Sequence, residues 1–293
     1  MSQPSDLPAW RQVPILSGRA ARLLLAPERG AVTVSLDLGR TKTAVVIEGE
    51  DIVLPDGQRA RKAGLAAAFS DPEDCIEIAE DGCRKVYLFS ESERRYYKLF
   101  QPFEGRPPTI VINNATMHAI VGKDPWEDAE EKVATVPRRG GECLDTCCGL
   151  GYSAQLLAKR GFQRVTTCEA DLNVLTIAAV NPWSEGLFRN PRIAVQHADV
   201  REFAARSDAG RFACVFHDPP TVLLAGELYS EELYREFARI LAPEGVLYHY
   251  VGAPGARLGR DYARGVIRRL QAAGFRGVRR VTEGVLAVRR APQ

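Results

Sequence analysis

The spacing of hydrophobic residues divides the chain into two regions. In the first region apolar residues alternate with polar or small ones, the period of a half-buried β-strand, at Val32, Val34, Leu36, Val45 and Ile47. Turn residues such as Pro55-Asp56-Gly57 separate these runs, and further extended segments flank Glu80-Asp81-Gly82. The pattern predicts a small, mostly β domain over residues 16–107, preceded by a flexible tail over residues 1–15.

Beyond Arg106-Pro107-Pro108, and most clearly from Glu142, apolar runs alternate with amphipathic stretches. The runs that predict strands are Glu142–Asp145, Arg164–Glu169, Ile193–His197, Phe212–His217 and Val246–Tyr250. The stretches that predict helices are Ser153–Arg160, Asn173–Val180, Glu231–Leu241 and Tyr262–Ala273. This alternation is typical of an α/β domain with a parallel sheet between two layers of helices, here over residues 108–293. The last two apolar runs, Gly277–Val281 and Gly284–Val288, have no helix between them and should close the sheet as an antiparallel hairpin.

The composition is that of a globular protein without a membrane segment. Of the 293 residues, 45% are hydrophobic and 26% are charged, and the formal net charge is +2. No apolar run reaches the ~18–20 residues that span a bilayer, and the N-terminus lacks a signal-peptide pattern, so we expect a cytoplasmic protein without membrane contact. The seven cysteines have no paired spacing, which favours reduced thiols and no metal site.

Arginine is concentrated near the C-terminus. Between Arg257 and Arg290, Asp261 and Glu283 are the only acidic residues. Such a surface can bind a polyanion such as RNA, although a solvated arginine-rich face gives the same sequence pattern.

The candidate chemistry begins at the loop after the first predicted strand of the α/β domain. That strand ends at Asp145, and Gly149 and Gly151 follow before a helix begins. Glycines let the backbone turn sharply and let a ligand lie against it, and the helix N-terminus offers free N–H groups. The next three strands lead to Glu169, Asp199 and Asp218. Because ligands of open α/β sheets bind beyond the carboxyl ends of the strands, these acids should face one site.

A dinucleotide site is the first alternative for this loop. Gly149-x-Gly151-x-x-Ala154 satisfies the dinucleotide-binding pattern, and Glu169 is suitably placed for a ribose. However, Asp145 precedes the first glycine by four residues, where its side chain can face a cationic or amino-acid ligand. The acids at the strand ends would also repel a pyrophosphate.

The combination of these motifs resembles the class I S-adenosylmethionine-dependent methyltransferases over residues 130–290, and specifically the predicted archaeal-type, spermine-synthase-like subset. Motifs similar to that subset are Met117-His118, Asp124-Pro125-Trp126-Glu127-Asp128, Asn181-Pro182-Trp183-Ser184, Ala225-Gly226-Glu227-Leu228-Tyr229-Ser230 and Arg260-Asp261. The resemblance implies a Rossmann-like seven-stranded sheet and S-adenosylmethionine as cofactor. It places Asp145 near the methionine moiety, Gly149 and Gly151 under the cofactor, Glu169 at the ribose and Asp199 at the adenine. Further cofactor-binding positions would be Cys147, Ala170 and Val200.

The turn after the fourth strand indicates the acceptor chemistry. Asp218-Pro219-Pro220-Thr221 is similar to the turn of amino-methyltransferases that act on nucleobases, where the acid and the first proline carbonyl accept hydrogen bonds from an exocyclic NH₂. Thr221 stands where that family has a base-stacking aromatic residue, a role that Tyr152, Tyr229 or Trp183 could take. The resemblance thus implies an N-methyltransferase acting on an exocyclic amine. We expect a base of ribosomal or transfer RNA as the acceptor, with the arginine-rich C-terminal segment and the β domain as the phosphate-binding surface. Further candidates for substrate binding are His118, Tyr152, Glu227, Tyr229 and Arg260.

Two other functions stay open. Aminopropyltransferases of polyamines resemble this chain in having a β-rich domain before the Rossmann-like domain, and Asp218 could serve as their base. Their Gly-Gly-Gly-Asp-Gly turn is absent here, and a small-molecule acceptor is the broader form of this alternative. A non-catalytic RNA- or cofactor-binding protein is the other. The oligomeric state is open as well, with a homodimer among the candidates.

Overall fold

The computed structural model describes residues 7–138, 140–252 and 262–290. These residues form two compact units: the residues up to Asp128 together with Asn173–Glu185, and Ala129–Leu172 together with the residues from Gly186 onward. The junction predicted at residues 106–108 lies within the first unit. Within the segment predicted as a tail, the Arg11 amide donates to the Ala179 carbonyl at 2.8 Å, whereas residues 1–6 lie outside the described residues.

The first unit is rich in short antiparallel strands. Its elements are β1 (Ile15–Ser17), α1 (Gly18–Leu25), β2 (Arg29–Val34), β3 (Thr43–Glu48), β4 (Asp51–Val53), β5 (Arg59–Arg61), α2 (Lys62–Ala68), β6 (Cys75–Ala79), β7 (Gly82–Lys85), β8 (Tyr87–Ser90), β9 (Arg95–Phe100), β10 (Thr109–Ile112) and β11 (Ala115–Thr116). In the described part of the chain they form sheets with the orders β1-β6-β7, β2-β3-β4-β5 and β11-β10-β9-β8. The predicted alternation has its cause here, because Val45 and Ile47 of β3 are buried between exposed neighbours.

Helix α3 (Pro125–Ala134) precedes the large sheet along the chain. The Asp124 carboxylate accepts hydrogen bonds from the amides of Trp126 (2.8 Å) and Glu127 (3.0 Å), and the Glu127 carboxylate accepts one from the Asp124 amide (2.9 Å). This reciprocal capping box, with proline at the first helical position, starts the helix. Helix α3 also carries Lys132, which the sequence did not single out.

The second unit is built on the predicted α/β sheet. Its elements, with the crossover helices along the chain, are β12 (Glu142–Asp145), α4 (Tyr152–Lys159), β13 (Arg164–Glu169), α5 (Leu172–Ala178, grouped with the first unit from Asn173), α6 (Glu185–Arg189), β14 (Ile193–His197), α7 (Val200–Arg206), β15 (Phe212–His217), α8 (Glu231–Ile240), β16 (Leu241–Tyr250), α9 (Tyr262–Ala272), β17 (Phe275–Val281) and β18 (Gly284–Arg289). The strand order is β14-β13-β12-β15-β16-β18-β17. The parallel pairing from β14 to β16 and the antiparallel hairpin β17–β18 confirm the predicted fold class.

Buried side chains hold the helices on this sheet. In α8, Ser230 caps the first turn, and Leu233, Tyr234, Phe237 and Ile240 lie on the buried face. They pack in one core with Val215 of β15 and Leu247 of β16. The sheet thereby brings the carboxyl ends of β12, β13, β14, β15 and β16 to one edge, where the predicted acids lie. No described helix is long and apolar enough to cross a membrane.

Candidate active site

The loop between β12 and α4 forms an open cradle. Gly149 has a φ of 55°, and apart from its two chain neighbours no described residue has a heavy atom within 4 Å of the position that a Cβ would take there. Gly151 has a φ of 75°, but a Cβ at this position would come within 2.6 Å of the Leu187 side chain. Both residues need the left-handed conformation that glycine adopts without strain. Gly149 therefore leaves space for a ligand, whereas Gly151 allows close packing.

Asp145, at the end of β12, is fully buried. One carboxylate oxygen, Oδ2, accepts hydrogen bonds from Thr167 Oγ1 (2.7 Å) and Ser153 Oγ (3.1 Å), while the buried Oδ1 has no donor among the described residues. Burial raises the pKa of Asp145 to about 7, against the hydrogen bonds and with a contribution from the charges of Asp218 and Glu169. A buried acceptor of this kind fits a ligand that carries a donor or an ammonium group.

Glu169, at the end of β13, is half-buried beside the cradle. Its Oε2 accepts a hydrogen bond from the Gly149 amide (2.9 Å), and its Oε1 accepts one from the Asp171 amide (3.1 Å). Burial raises the pKa of Glu169 to about 7, although these two hydrogen bonds oppose the shift. The carboxylate thus joins the loop to the strand end where the sequence predicts a ribose.

The remaining predicted cofactor positions lie near the same sheet edge. Cys147 is half-buried, and burial holds the pKa of its thiol well above the usual value, so it stays protonated. Ala170 is exposed, and its carbonyl lies 3.3 Å from His197 Nε2. Val200 is buried in the core.

Asp199 has a structural role that the sequence did not reveal, and its role at the adenine stays a prediction. Its Oδ1 accepts a hydrogen bond from the Arg201 amide (2.8 Å), which caps α7. The Arg201 side chain also pairs with this carboxylate, with Nη2 2.6 Å from Oδ2, and holds the pKa of Asp199 below its usual value. An adenine amino group would therefore share the carboxylate with Arg201.

The turn Asp218-Pro219-Pro220-Thr221, called the acceptor turn below, follows β15. Asp218 is half-buried, and its Oδ2 lies 3.0 Å from Nζ of Lys132, a side chain that is only 7% exposed. This ammonium group also lies 4.3 Å from the centre of the Tyr250 ring, at the end of β16. Lys132 is the main site residue that sequence reasoning missed. It precedes Asp218 by 86 residues and belongs to no recognisable motif.

Tyr229 supports the acceptor turn through a hydrogen bond to its backbone. Its hydroxyl donates a 2.9 Å hydrogen bond to the Pro220 carbonyl, and its side chain is 5% exposed. None of the described residues donates a hydrogen bond to the Pro219 carbonyl. Of the two proline carbonyls, the one of Pro220 is therefore used in the fold, whereas that of the buried Pro219 accepts no hydrogen bond from the described residues. Thr221 is exposed.

Two adjacent buried histidines lie beside the turn, and one of them, His217, joins its strand to the cofactor loop. His217 Nδ1 lies 2.7 Å from Thr146 Oγ1, and its Nε2 lies 2.9 Å from the Leu228 carbonyl. Burial lowers the pKa of His217 to about 4, so the neutral ring accepts from the threonine and donates to the carbonyl. His249, stacked edge-on at 4.6 Å, is also kept neutral by burial. Both rings serve as structural hydrogen-bond bridges.

The predicted substrate residues have separate environments. Tyr152 is 1% exposed at the start of α4, and Tyr229 supports the turn. Glu227 is exposed in a 3-10 turn, Gly226–Tyr229. His118 belongs to the first unit, with Nδ1 2.9 Å from Thr109 Oγ1, and Arg260 lies outside the described residues. Their substrate roles stay predictions.

Comparison with known proteins places this geometry in a family. Residues 143–245 match the family model of a methyltransferase domain. The chain is 37% identical over 280 residues to the uncharacterized protein MJ1233 of Methanocaldococcus jannaschii, which covers 94% of this chain and 95% of that one. A dTDP-3-amino-3,6-dideoxy-alpha-D-glucopyranose N,N-dimethyltransferase of Streptomyces fradiae is 28% identical over 134 residues, covering 45% of this chain and 48% of its own length.

Among solved structures, spermidine synthase in complex with the transition state analogue AdoDATO is similar with a TM-score of 0.57 and 17% identity. The similarity covers 69% of this chain and 72% of that one, and it shows a common fold. The open glycine cradle and the Asp145 oxygen that accepts no hydrogen bond from the described residues fit S-adenosylmethionine, which carries an ammonium group and a sulfonium. The chain therefore belongs to the class I S-adenosylmethionine-dependent methyltransferases, in one family with the Methanocaldococcus protein, and S-adenosylmethionine is its cofactor, as the sequence predicted.

Proposed function

We propose that this enzyme methylates an exocyclic amine of an RNA base, in ribosomal or transfer RNA. The observation that carries the proposal is the pair of acceptors at the turn after β15. The Asp218 carboxylate is held by Lys132, and the Pro219 carbonyl accepts no hydrogen bond from the described residues. An exocyclic amine has two N–H donors, so it can give one to each acceptor.

This arrangement would orient the amine for methyl transfer. S-adenosylmethionine supplies an electrophilic methyl group on its sulfonium. Two hydrogen bonds to Asp218 and Pro219 would fix the nitrogen and direct its lone pair away from the base ring, a gain of orientation and electrostatic placement. The methylated nitrogen then loses one proton, for which the Asp218 carboxylate is the nearest acceptor in the turn.

Lys132 distinguishes this proposal from aminopropyl transfer. The alternative has support in the fold shared with spermidine synthase, and Asp218 would act as the base for a polyamine. However, the Lys132 ammonium group lies 3.0 Å from Asp218 and would repel a cationic polyamine at that carboxylate. A neutral aromatic amine meets no such repulsion. An amino sugar, the acceptor in the name of the Streptomyces relative, is the second candidate substrate.

The test is methyl transfer from labelled S-adenosylmethionine to RNA purified from a strain without the gene, with RNA from the parent strain beside it. We expect label in the first RNA alone, recovered as an exocyclic N-methyl base after digestion. Asp218→Ala should reduce the rate at least about 100-fold, because an acceptor aligned in the transition state is lost.

The matched control is Asp208→Ala, which removes an exposed acid at the far end of β15 and should leave the rate unchanged. Label on a ring carbon or a ribose oxygen would contradict the proposal. So would the absence of RNA labelling together with turnover of spermidine or of a dTDP-amino sugar.

A further inference from the structure

Five arginines line a cleft at the end of the large sheet where β15 and β16 begin. Two adjoining surface pockets of about 590 and 510 Å³, both wide open to solvent, share Gly274 and Arg290. Their cationic lining, called the arginine cleft below, consists of Arg235, Arg239, Arg276, Arg289 and Arg290. The side chains come from α8, from β17 and from the end of β18, so distant parts of the sequence converge here.

The arginine cleft retains positive charge after its own ion pairs are counted. Arg235 pairs with Glu231, Arg239 with Glu236, and Arg276 with Glu244. In the part of the chain that the structure describes, five guanidinium groups of the lining thus pair with three carboxylates. The three pairs lie at the surface, where an ion pair contributes only about 0–1 kcal/mol, so phosphate oxygens can replace the carboxylates at little cost. The guanidinium fork matches phosphate in two-point geometry.

The cleft lies at the opposite end of the sheet from the acceptor turn. The Arg289 guanidinium donates to the carbonyl of Leu241, and Leu241 pairs with Phe212, the first residue of β15. Asp218 follows the last residue of the same strand. Six strand residues span about 20 Å, so a mononucleotide cannot reach both places, whereas a nucleic acid can.

Strand β17 connects the two ends of the sheet. It is the edge strand, and it runs parallel to β16 because both pair antiparallel with β18. Arg276, at the cleft, and Arg279 and Arg280, further along, are exposed. Gly277, with a φ of 59°, lies at a bulge that shifts the pairing register between Arg276 and Arg279. Such a bulge changes the direction of the side chains that follow it, here those of Arg279 and Arg280.

The C-terminal end of β17 lies at the same end of the sheet as the acceptor turn. Val281 pairs with Gly284, and Gly284 pairs with Tyr250. The Tyr250 ring contacts Lys132, the partner of Asp218. The exposed arginines therefore form a cationic path from the arginine cleft toward the acceptor turn.

We propose that the arginine cleft and the β17 edge bind the phosphate backbone of the RNA whose target base enters the acceptor turn. The inference rests on the proposed function for the identity of the polymer, but binding and methyl transfer can be measured separately. It requires the acceptor to be a polynucleotide that reaches about 20 Å beyond the target base. A nucleoside or short oligonucleotide should be a poor substrate.

The test is fluorescence anisotropy of the full chain with bulk transfer RNA and with a labelled oligouridylate, over a range of salt concentrations. The variant combines Arg235→Gln, Arg276→Gln and Arg290→Gln. It keeps Arg239 and Arg289, which donate to backbone carbonyls and support the fold. We expect affinity for both RNAs to fall at least about tenfold, and the slope of log K against log salt to become shallower by about 2.

The matched control combines Arg59→Gln, Arg61→Gln and Arg95→Gln. These three arginines are exposed, belong to the first unit and also pair with carboxylates. Their replacement removes three positive charges, as in the cleft variant. The control should bind RNA like the parent, and all three proteins should bind S-adenosylmethionine equally.

An equal loss in both triple variants, or no loss in the cleft variant, would overturn the inference. Cleft-dependent binding of anionic phospholipid vesicles without binding of RNA would also overturn it. RNA binding that depends on the cleft, but without methyl transfer to any RNA, would instead leave the docking surface intact and refute the proposed function.

Discussion

At the scale of single residues, the carboxylates of Asp145, which is buried, and Glu169, which is half-buried, should make cofactor binding depend on pH. The pKa values of Asp145 and Glu169 are raised to about 7, so both groups are partly protonated near neutrality without ligand. A cationic cofactor with ribose hydroxyl donors favours the ionised forms. Binding should therefore release protons and strengthen as pH rises, with the dissociation constant falling at least about tenfold between pH 6 and pH 8.

Stability without the cofactor should change in the opposite direction. Because the folded pKa values exceed the unfolded ones, folding takes up protons, and this contribution is lost as pH rises through 7. Calorimetric titration in buffers of different ionisation enthalpy measures the proton release, and thermal unfolding measures the stability. Asp145→Asn should weaken binding and flatten its pH dependence. An unchanged slope in that variant would show that Asp145 is not one of the titrating groups.

Tyr229 provides a second prediction at this scale. Tyr229→Phe removes the hydrogen bond to the Pro220 carbonyl but keeps the ring that packs at 5.0 Å from His249. Pro220 is exposed and can bind water instead, so the free energy of unfolding should fall by no more than about 1 kcal/mol. Methyl transfer should slow about tenfold through kcat, because Pro219 and Asp218 lose a fixed position. Because Tyr229 acts by positioning the turn, the Tyr229→Phe variant should keep the affinity of the parent protein for S-adenosylmethionine. A parallel loss of cofactor affinity would contradict it.

At the scale of secondary structure, the sequence predicted the elements that carry chemistry better than those that only connect them. The first four strands of the large sheet have the predicted bounds, since each is an apolar run that leads into an acidic residue or a turn. The sequence does not mark helix α7, which has only seven residues, and Asp199, predicted at the adenine, also caps this helix. Strand β16 begins at Leu241 rather than at the predicted Val246, because it includes Pro243-Glu244-Gly245, a segment with the composition of a turn.

The loop between β12 and α4 allows a matched pair of substitutions. Gly149→Ala places a methyl group in open space at a φ of 55°, which costs about 1–2 kcal/mol of backbone strain and narrows the cofactor cradle. Gly151→Ala adds a clash with Leu187 at 2.6 Å to a similar strain, in the core beneath the loop. We therefore expect Gly149→Ala to fold with a modest loss of stability but to bind S-adenosylmethionine poorly. Gly151→Ala should lose several kcal/mol of stability. Denaturant unfolding and calorimetry separate the two effects, and equal loss of stability in both variants would contradict this assignment.

At the scale of the whole molecule, contacts between residues distant in sequence set the limits of the two units. The sequence placed a boundary near residue 107, whereas the first unit extends to Asp128 and also includes Asn173–Glu185. That inserted segment is held by the Trp183 indole N–H, which donates to the Leu38 carbonyl at 3.2 Å, and by Arg40, which donates to the Pro182 carbonyl at 2.7 Å. These pairs are more than 140 residues apart in sequence, and no local pattern marks them. Lys132 escaped prediction for the same reason.

The division into two units predicts where cofactor binding should slow hydrogen exchange. Asp145, Gly149, Glu169 and Asp199 all belong to the second unit, and each unit has a core of its own. A ligand at 100 times its Kd stabilises the unit that binds it by about 2.7 kcal/mol, so amides of β12, β13 and β15 that exchange through unfolding of that unit should slow by up to about 100-fold. Amides of β3 and β4 should keep their rates, because their opening does not release the cofactor. Mass spectrometry of exchange with and without S-adenosylmethionine measures this, and Gly149→Ala, which should bind poorly, provides the control. An equal decrease of the exchange rates in β3 and β12 would mean that the two units open together, and that the free energy of cofactor binding stabilises both of them.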